Sequence, residues 1–134
     1  MLTFKRSGLI SLDLTSNSIG GLGLIDICSG LLENGSLKTL RLGDNSIGQT
    51  DDDAKALEMF ASVLAKHPSI MAVDLLHNDI GTDGGTLLLP AIRDNKQITE
   101  FKCDSRMDDT LFNSLFRVST AKKSKGSKKK KKKK

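Results

Sequence analysis

The chain has 134 residues, 37% of them apolar and 28% charged, with five Phe and neither Tyr nor Trp. That length predicts a single domain, and no apolar run approaches the roughly 18 residues that a membrane span requires. The formal charge of +5 is unevenly placed: residues 122–134 hold ten Lys and no acid, leaving 11 bases against 16 acids in residues 1–121, an acidic body of charge −5 that excludes a basic nucleic-acid-binding domain.

From the N-terminus, Leu12 and Leu14 flank Asp13 and predict a short strand with one buried face. Leu24, Ile27, Cys28 and Leu31 follow at helical spacing and stop at Asn34-Gly35. Leu40 and Leu42 predict a second strand. Next comes Thr50-Asp51-Asp52-Asp53, where Thr50 caps a helix and acids in its first turn offset the dipole, a better reading than a divalent-cation site. Leu57, Phe60, Ala61 and Leu64 carry that helix to Pro68. Val73 and Leu75 predict a third strand. Leu88, Ala91 and Ile92 predict a weaker third helix, with Pro90 near its start or kinking it. A fourth strand carries Phe101 and Cys103. The fourth helix has Leu111, Phe112, Leu115, Phe116 and Val118, an apolar stripe wide enough to close a stack.

These elements repeat. Leu9-Ile10-Ser11-Leu12-Asp13-Leu14-Thr15-Ser16-Asn17-Ser18-Ile19-Gly20 recurs from Leu37 to Gly48 and again from Ile70 to Gly81, with a degraded copy starting at Ile98 that has Arg106 in place of the Asn. The copies start near 9, 37, 70 and 98, so the period is about 28 residues with five extra in the second unit. Asn17, Asn45 and Asn78 each follow a strand by three residues, where a side-chain amide can bond the backbone of the turn and stacked copies form a ladder. The Gly after each Ile is suited to φ > 0.

The pattern L-x-x-L-x-L-x-x-N-x-I-G resembles the leucine-rich repeat family, and its period resembles the ribonuclease-inhibitor-type subclass. The resemblance implies an α/β fold: a right-handed solenoid over residues 1–118, with a parallel sheet on the concave face and helices on the convex face. Residues 119–134 then form a disordered lysine-rich tail. Only Met1 to Lys5 precede the first copy, so the chain is expected to be the later part of a longer array, or else to dock a partner on that flank.

Residues able to carry chemistry are few. His67 precedes Pro68 at a helix end, a surface position where an imidazolium meets the C-terminal dipole, and His77 precedes Asn78 at the rim of the concave face. Neither has metal-ligand spacing, and no nucleophile motif is present, so no catalytic residue, metal, cofactor or small-molecule substrate is assigned. Gly20-Gly21-Leu22-Gly23 looks like a phosphate loop, but the equivalent Ile80-Gly81-Thr82-Asp83-Gly84 shows that it belongs to the repeat. Cys28 and Cys103 fall in coils three strand steps apart, beyond disulfide reach, and are expected to be reduced packing residues in a reducing, cytoplasmic compartment.

The strand residues facing outward form columns. The central one is Asp13, Arg41, Asp74, Lys102, of alternating sign and suited to lateral pairing; the flanking ones are Ser11, Thr39, Ala72, Glu100 and Thr15, Gly43, Leu76, Asp104. With Asp44 and His77 they make a candidate protein-docking face, or else an exposed sheet whose charges neutralise one another. The string Lys122, Lys123, Lys125, Lys128, Lys129, Lys130, Lys131, Lys132, Lys133, Lys134 suits electrostatic tethering to polyanions such as acidic tubulin tails, without membrane insertion. The expected function is a non-catalytic interaction module or scaffold of a cytoskeletal or axonemal (ciliary or flagellar) assembly. A regulatory solenoid, GTPase-activator-like or inhibitor-like, is the alternative, as is a nuclear or RNA-associated adaptor acting through the tail.

Overall fold

A computed structural model describes residues 8–48 and 51–118, with the backbone alone at 51 and 52. Three-residue strands alternate with helices: β1 (Ser11–Asp13), α1 (Gly20–Glu33), β2 (Thr39–Arg41), α2 (Asp51–Lys66), β3 (Ala72–Asp74), α3 (Gly81–Asp94) and β4 (Glu100–Lys102), followed by a helix over 109–118, α4. The strands form one parallel sheet in the order β1-β2-β3-β4. Leu12, Leu40, Val73 and Phe101 lie side by side in it. The architecture is an α/β solenoid.

The strands stop after three residues because the chain must turn into a helix at every copy. Between each strand and its helix the backbone enters the left-handed region at non-glycine residues: Ser16, Asp44 and His77 before the ladder asparagine, and Ser18 and Ser46 after two of them. Polar residues tolerate this conformation better than branched ones. Gly48 is the tightest point. Its φ is +99°, and a Cβ there would stand 2.1 Å from the Asp79 carbonyl oxygen of the next coil.

The core lies between the sheet and the helices. Leu24, Ile27, Leu40, Phe60, Leu64, Leu75, Leu88 and Ile92 are among its fully buried side chains. Each such side chain contributes about 2 kcal/mol, against the entropy of ordering its coil. Leu24, Ile27, Cys28 and Leu31 of α1 are also fully or almost fully buried, whereas Ile10, Leu22 and Leu32 of the same coil are exposed. Leu9, Leu12 and Leu14 on its strand side are half-buried.

The third helix differs from expectation. It spans as many residues as the first, and Pro90 lies inside it on an exposed position rather than near its start. Its missing N–H thus falls on the solvent side of a helix held by Leu88, Ala91 and Ile92. The capping role expected of Thr50 falls outside the described residues.

Candidate functional site

The sheet face is built on the asparagine row. Asn45 Oδ1 accepts the N–H of Asn17 at 2.7 Å and of Ile19 at 3.2 Å. Asn78 Oδ1 accepts those of Asn45 at 2.9 Å and Ile47 at 3.0 Å. Their amide groups donate to the coil before and to their own, Asn45 to Leu14 and Gly43, Asn78 to Leu42 and Leu75. Asn17, at the start of the row, is exposed and donates to Leu14 and Thr15 of its own strand.

At the fourth coil the Asp104 side chain does what a backbone carbonyl does in the earlier turns, where that of Gly43 accepts the Ser16 N–H and that of Leu76 the Asp44 N–H. Its Oδ1 accepts the His77 N–H at 3.0 Å and its Oδ2 meets Arg106 at 3.2 Å. The His77 N–H, followed by Arg106, holds the Asp104 carboxyl below the usual carboxylate range against the opposing effect of burial. Arg106 stands where the asparagine row ends and pairs with Asp104.

The columns fall in the expected register. Ser11, Thr39, Ala72 and Glu100 are neighbours, as are Asp13, Arg41, Asp74 and Lys102. The lateral pairing expected of the central column does not form: among the described residues no salt bridge joins two of its members. The carboxylates are taken locally instead. Asp13 Oδ1 accepts Thr15 Oγ1 at 2.6 Å and the Thr15 N–H at 3.0 Å, and Asp74 Oδ1 accepts the Leu76 N–H at 2.9 Å. Such bonds two residues apart order few torsions and outcompete a long Arg side chain. They lower the Asp13 pKa, the Thr15 hydroxyl most; Arg41 adds only the smallest pull. Lys102 meets Glu100 of its own strand at 3.5 Å. Arg41 lines a shallow depression with Thr39, Ala72, Asp74, Glu100 and Lys102, and Ser16 donates to Asp44 at 2.8 Å on the rim.

A second row runs along the opposite turns, where each helix returns to the sheet. Asn34 Oδ1 accepts the N–H groups of Ser36 and Leu37 at 2.9 and 2.8 Å. His67 Nδ1 accepts those of Ser69 and Ile70, both at 3.1 Å. Asn95 Oδ1 accepts that of Gln97 at 2.9 Å. The rungs bond one another: His67 Nε2 lies 2.7 Å from the Asn34 carbonyl oxygen, and Asn95 Nδ2 donates to the His67 carbonyl at 3.0 Å. Since Nδ1 receives two N–H groups, the proton sits on Nε2 and the ring is neutral. His67 is 4% exposed, and burial pushes its pKa down, against the Asn34 carbonyl. This corrects the surface imidazolium expected there. Sequence inspection missed the row because a ring stands where its neighbours have amides, although 34, 67 and 95 share the spacing of 45, 78 and 106.

The remaining candidates are structural. Asp53 is 5% exposed, accepts the Gly48 N–H at 2.8 Å and lies so near Gly21 that a Cβ there would meet its Oδ1 at 2.1 Å. Gly20 takes φ +64° at the start of α1. Among the described residues no His, Cys, Asp and Glu side chains are grouped to hold a metal ion, and no helix is long and apolar enough to cross a membrane. Cys28 and Cys103 are free and buried. The lysine string lies outside the described residues.

A family model described as Leucine Rich repeat matches residues 9–28 and 66–89. The chain is 36% identical over 89 residues to the mouse (Mus musculus) protein "NACHT, LRR and PYD domains-containing protein 12", an alignment covering 66% of this chain and 8% of that relative. Its fold is similar to that of the tropomodulin C-terminal domain of Caenorhabditis elegans, with a TM-score of 0.58 at 8% identity, covering 94% of this chain and 91% of that one. The repeat written in the sequence is therefore the one that stacks in space, and it is a leucine-rich repeat.

Proposed function

We propose that the chain is a non-catalytic protein-interaction module that docks a protein partner on its concave sheet. The finer reading is a scaffold in a cytoskeletal or axonemal assembly, with Lys122–Lys134 as an electrostatic tether for acidic surfaces such as tubulin tails. The ribonuclease-inhibitor-type subclass, inferred from the repeat period, belongs to the same reading. One observation carries it: the central column does not neutralise itself. Asp13 and Asp74 are occupied by their own turns, and Arg41 stands between them in no salt bridge among the described residues. A sheet that presents an exposed guanidinium in a shallow depression with Thr39 and Ala72 offers a charged contact to a partner carboxylate.

The test is co-sedimentation of the full chain with microtubules over a salt series, with Arg41→Glu and a chain ending at Ala121 in parallel. Arg41→Glu is expected to weaken retention by about tenfold, as for loss of one charged contact. The shortened chain is expected to lose the salt-sensitive part. Retention indifferent to Arg41→Glu would refute the concave site, and indifference to the shortening would refute the tether. Stimulation of a small GTPase by this chain alone would favour the regulatory reading instead.

A further inference from the structure

The row of Asn34, His67 and Asn95 places a titratable ring where the neighbouring coils carry an amide. An amide oxygen accepts hydrogen bonds at any pH, whereas Nδ1 of imidazole accepts only while it is unprotonated. We propose that His67 is a proton-operated latch on the turn joining the second and third coils: protonation at Nδ1 releases the path from α2 to β3 while the row of Asn17, Asn45 and Asn78 stays closed.

The geometry makes the release specific. Ser69 and Ile70 both aim their N–H groups at Nδ1, so a proton there sets three donors against one another. The ring cannot swing to solvent without breaking the bond from Nε2 to the Asn34 carbonyl, and it is 4% exposed. The His67 backbone is held from the other side by Asn95 Nδ2. Charged residues on the surrounding helix ends are Glu33 of α1, Lys66 of its own helix, and Arg93, Asp94 and Lys96 at the end of α3. Arg93 and Asp94 pair with each other at 3.0 Å. What moves the ring is burial first, which lowers its pKa, and then the Asn34 carbonyl, which raises it. A basic group with a lowered folded-state value binds its proton better when released. Closure is therefore complete above the ordinary value of 6.5 and weakens as pH falls towards the folded-state value. The carboxylates with lowered values, Asp13 and Asp104, titrate below 3.8 and stay out of this window.

The experiment is amide hydrogen exchange by NMR on the full chain at about pH 7.4 and about pH 5.5, beside His67→Asn, which installs the rung of the other two coils. In the unaltered chain the opening constant at Ser69 and Ile70 is expected to rise about tenfold per pH unit below 6.5, until the folded-state value is reached, with no rise at Asn45 and Ile47. His67→Asn is expected to flatten the response at Ser69 and Ile70. Equal opening at both pH values, or a pH response that survives in His67→Asn, overturns the latch. Should that variant not fold, the ring titration of His67 in the unaltered chain decides: a value at or above 6.5 overturns it, and a lower value supports it.

Discussion

Asn78 Oδ1 accepts the backbone N–H of Asn45 at 2.9 Å, so Asn78, like Asn45, holds the turn of the coil before its own. The same oxygen holds Ile47, and the amide nitrogen returns to Leu42 and Leu75.

Asn78→Ala leaves two buried donors and two carbonyl oxygens without their partner. It is expected to cost about 3–5 kcal/mol, as several unsatisfied groups add up. Asn17→Ala, at the exposed start of the row, is expected to cost about 1 kcal/mol. Urea unfolding of the two variants checks the gradient; equal losses would mean that the row acts at each coil independently.

Two glycines with positive φ separate backbone strain from collision. At Gly81, with φ +68°, a Cβ meets nothing within 4 Å, and Gly81→Ala is expected to cost only the left-handed penalty of about 1–2 kcal/mol. At Gly48 the added carbon strikes the Asp79 carbonyl of the next coil, so Gly48→Ala is expected to cost about 4 kcal/mol or prevent folding. Thermal unfolding ranks the two.

Burial pushes the Cys28 thiol up to about 12; burial and then the nearby Asp104 carboxylate push that of Cys103 up to about 11. Neither forms thiolate at neutral pH, so a disulfide reagent is expected to react with no thiol of the native chain and with both after unfolding. Rapid labelling of one native thiol would contradict the packing of its coil.

Below pH 3.8 a further loss of stability is expected from Asp13 and Asp104. Their lowered values stabilise the fold above the ordinary carboxylate value, and the contribution disappears as pH falls through the folded-state values. Asp104→Asn keeps an acceptor for the His77 N–H but removes the titration, so in urea unfolding that variant is expected to be less stable than the unaltered chain at neutral pH and to lose less stability on acidification, the two converging below the folded-state value.

The alternation of Leu40 with Leu42 and Val73 with Leu75, repeated with an asparagine three residues on, was enough to read the solenoid, its strand register and the columns on its concave face. Each of those features depends on contacts between equivalent positions, and a repeated sequence lists its own equivalents. Single substitutions broke the legibility. His67 does not look like Asn34 or Asn95, yet its ring nitrogen occupies the same acceptor position. Pro90 looks like a helix breaker, but its exposed place on α3 makes it tolerable.

Hydrophobic period and copy spacing are local properties of the chain, and they dictate which residues stack on which. The partners of the polar groups follow instead from the folded coils: Asp13 bonds Thr15 and not Arg41, Asp104 holds the turn of the preceding coil, and His67 is a neutral acceptor within a buried row. Hydrogen bonds depend on distances of a few tenths of an ångström and on what else competes for the same donor, and neither is written in the order of residues.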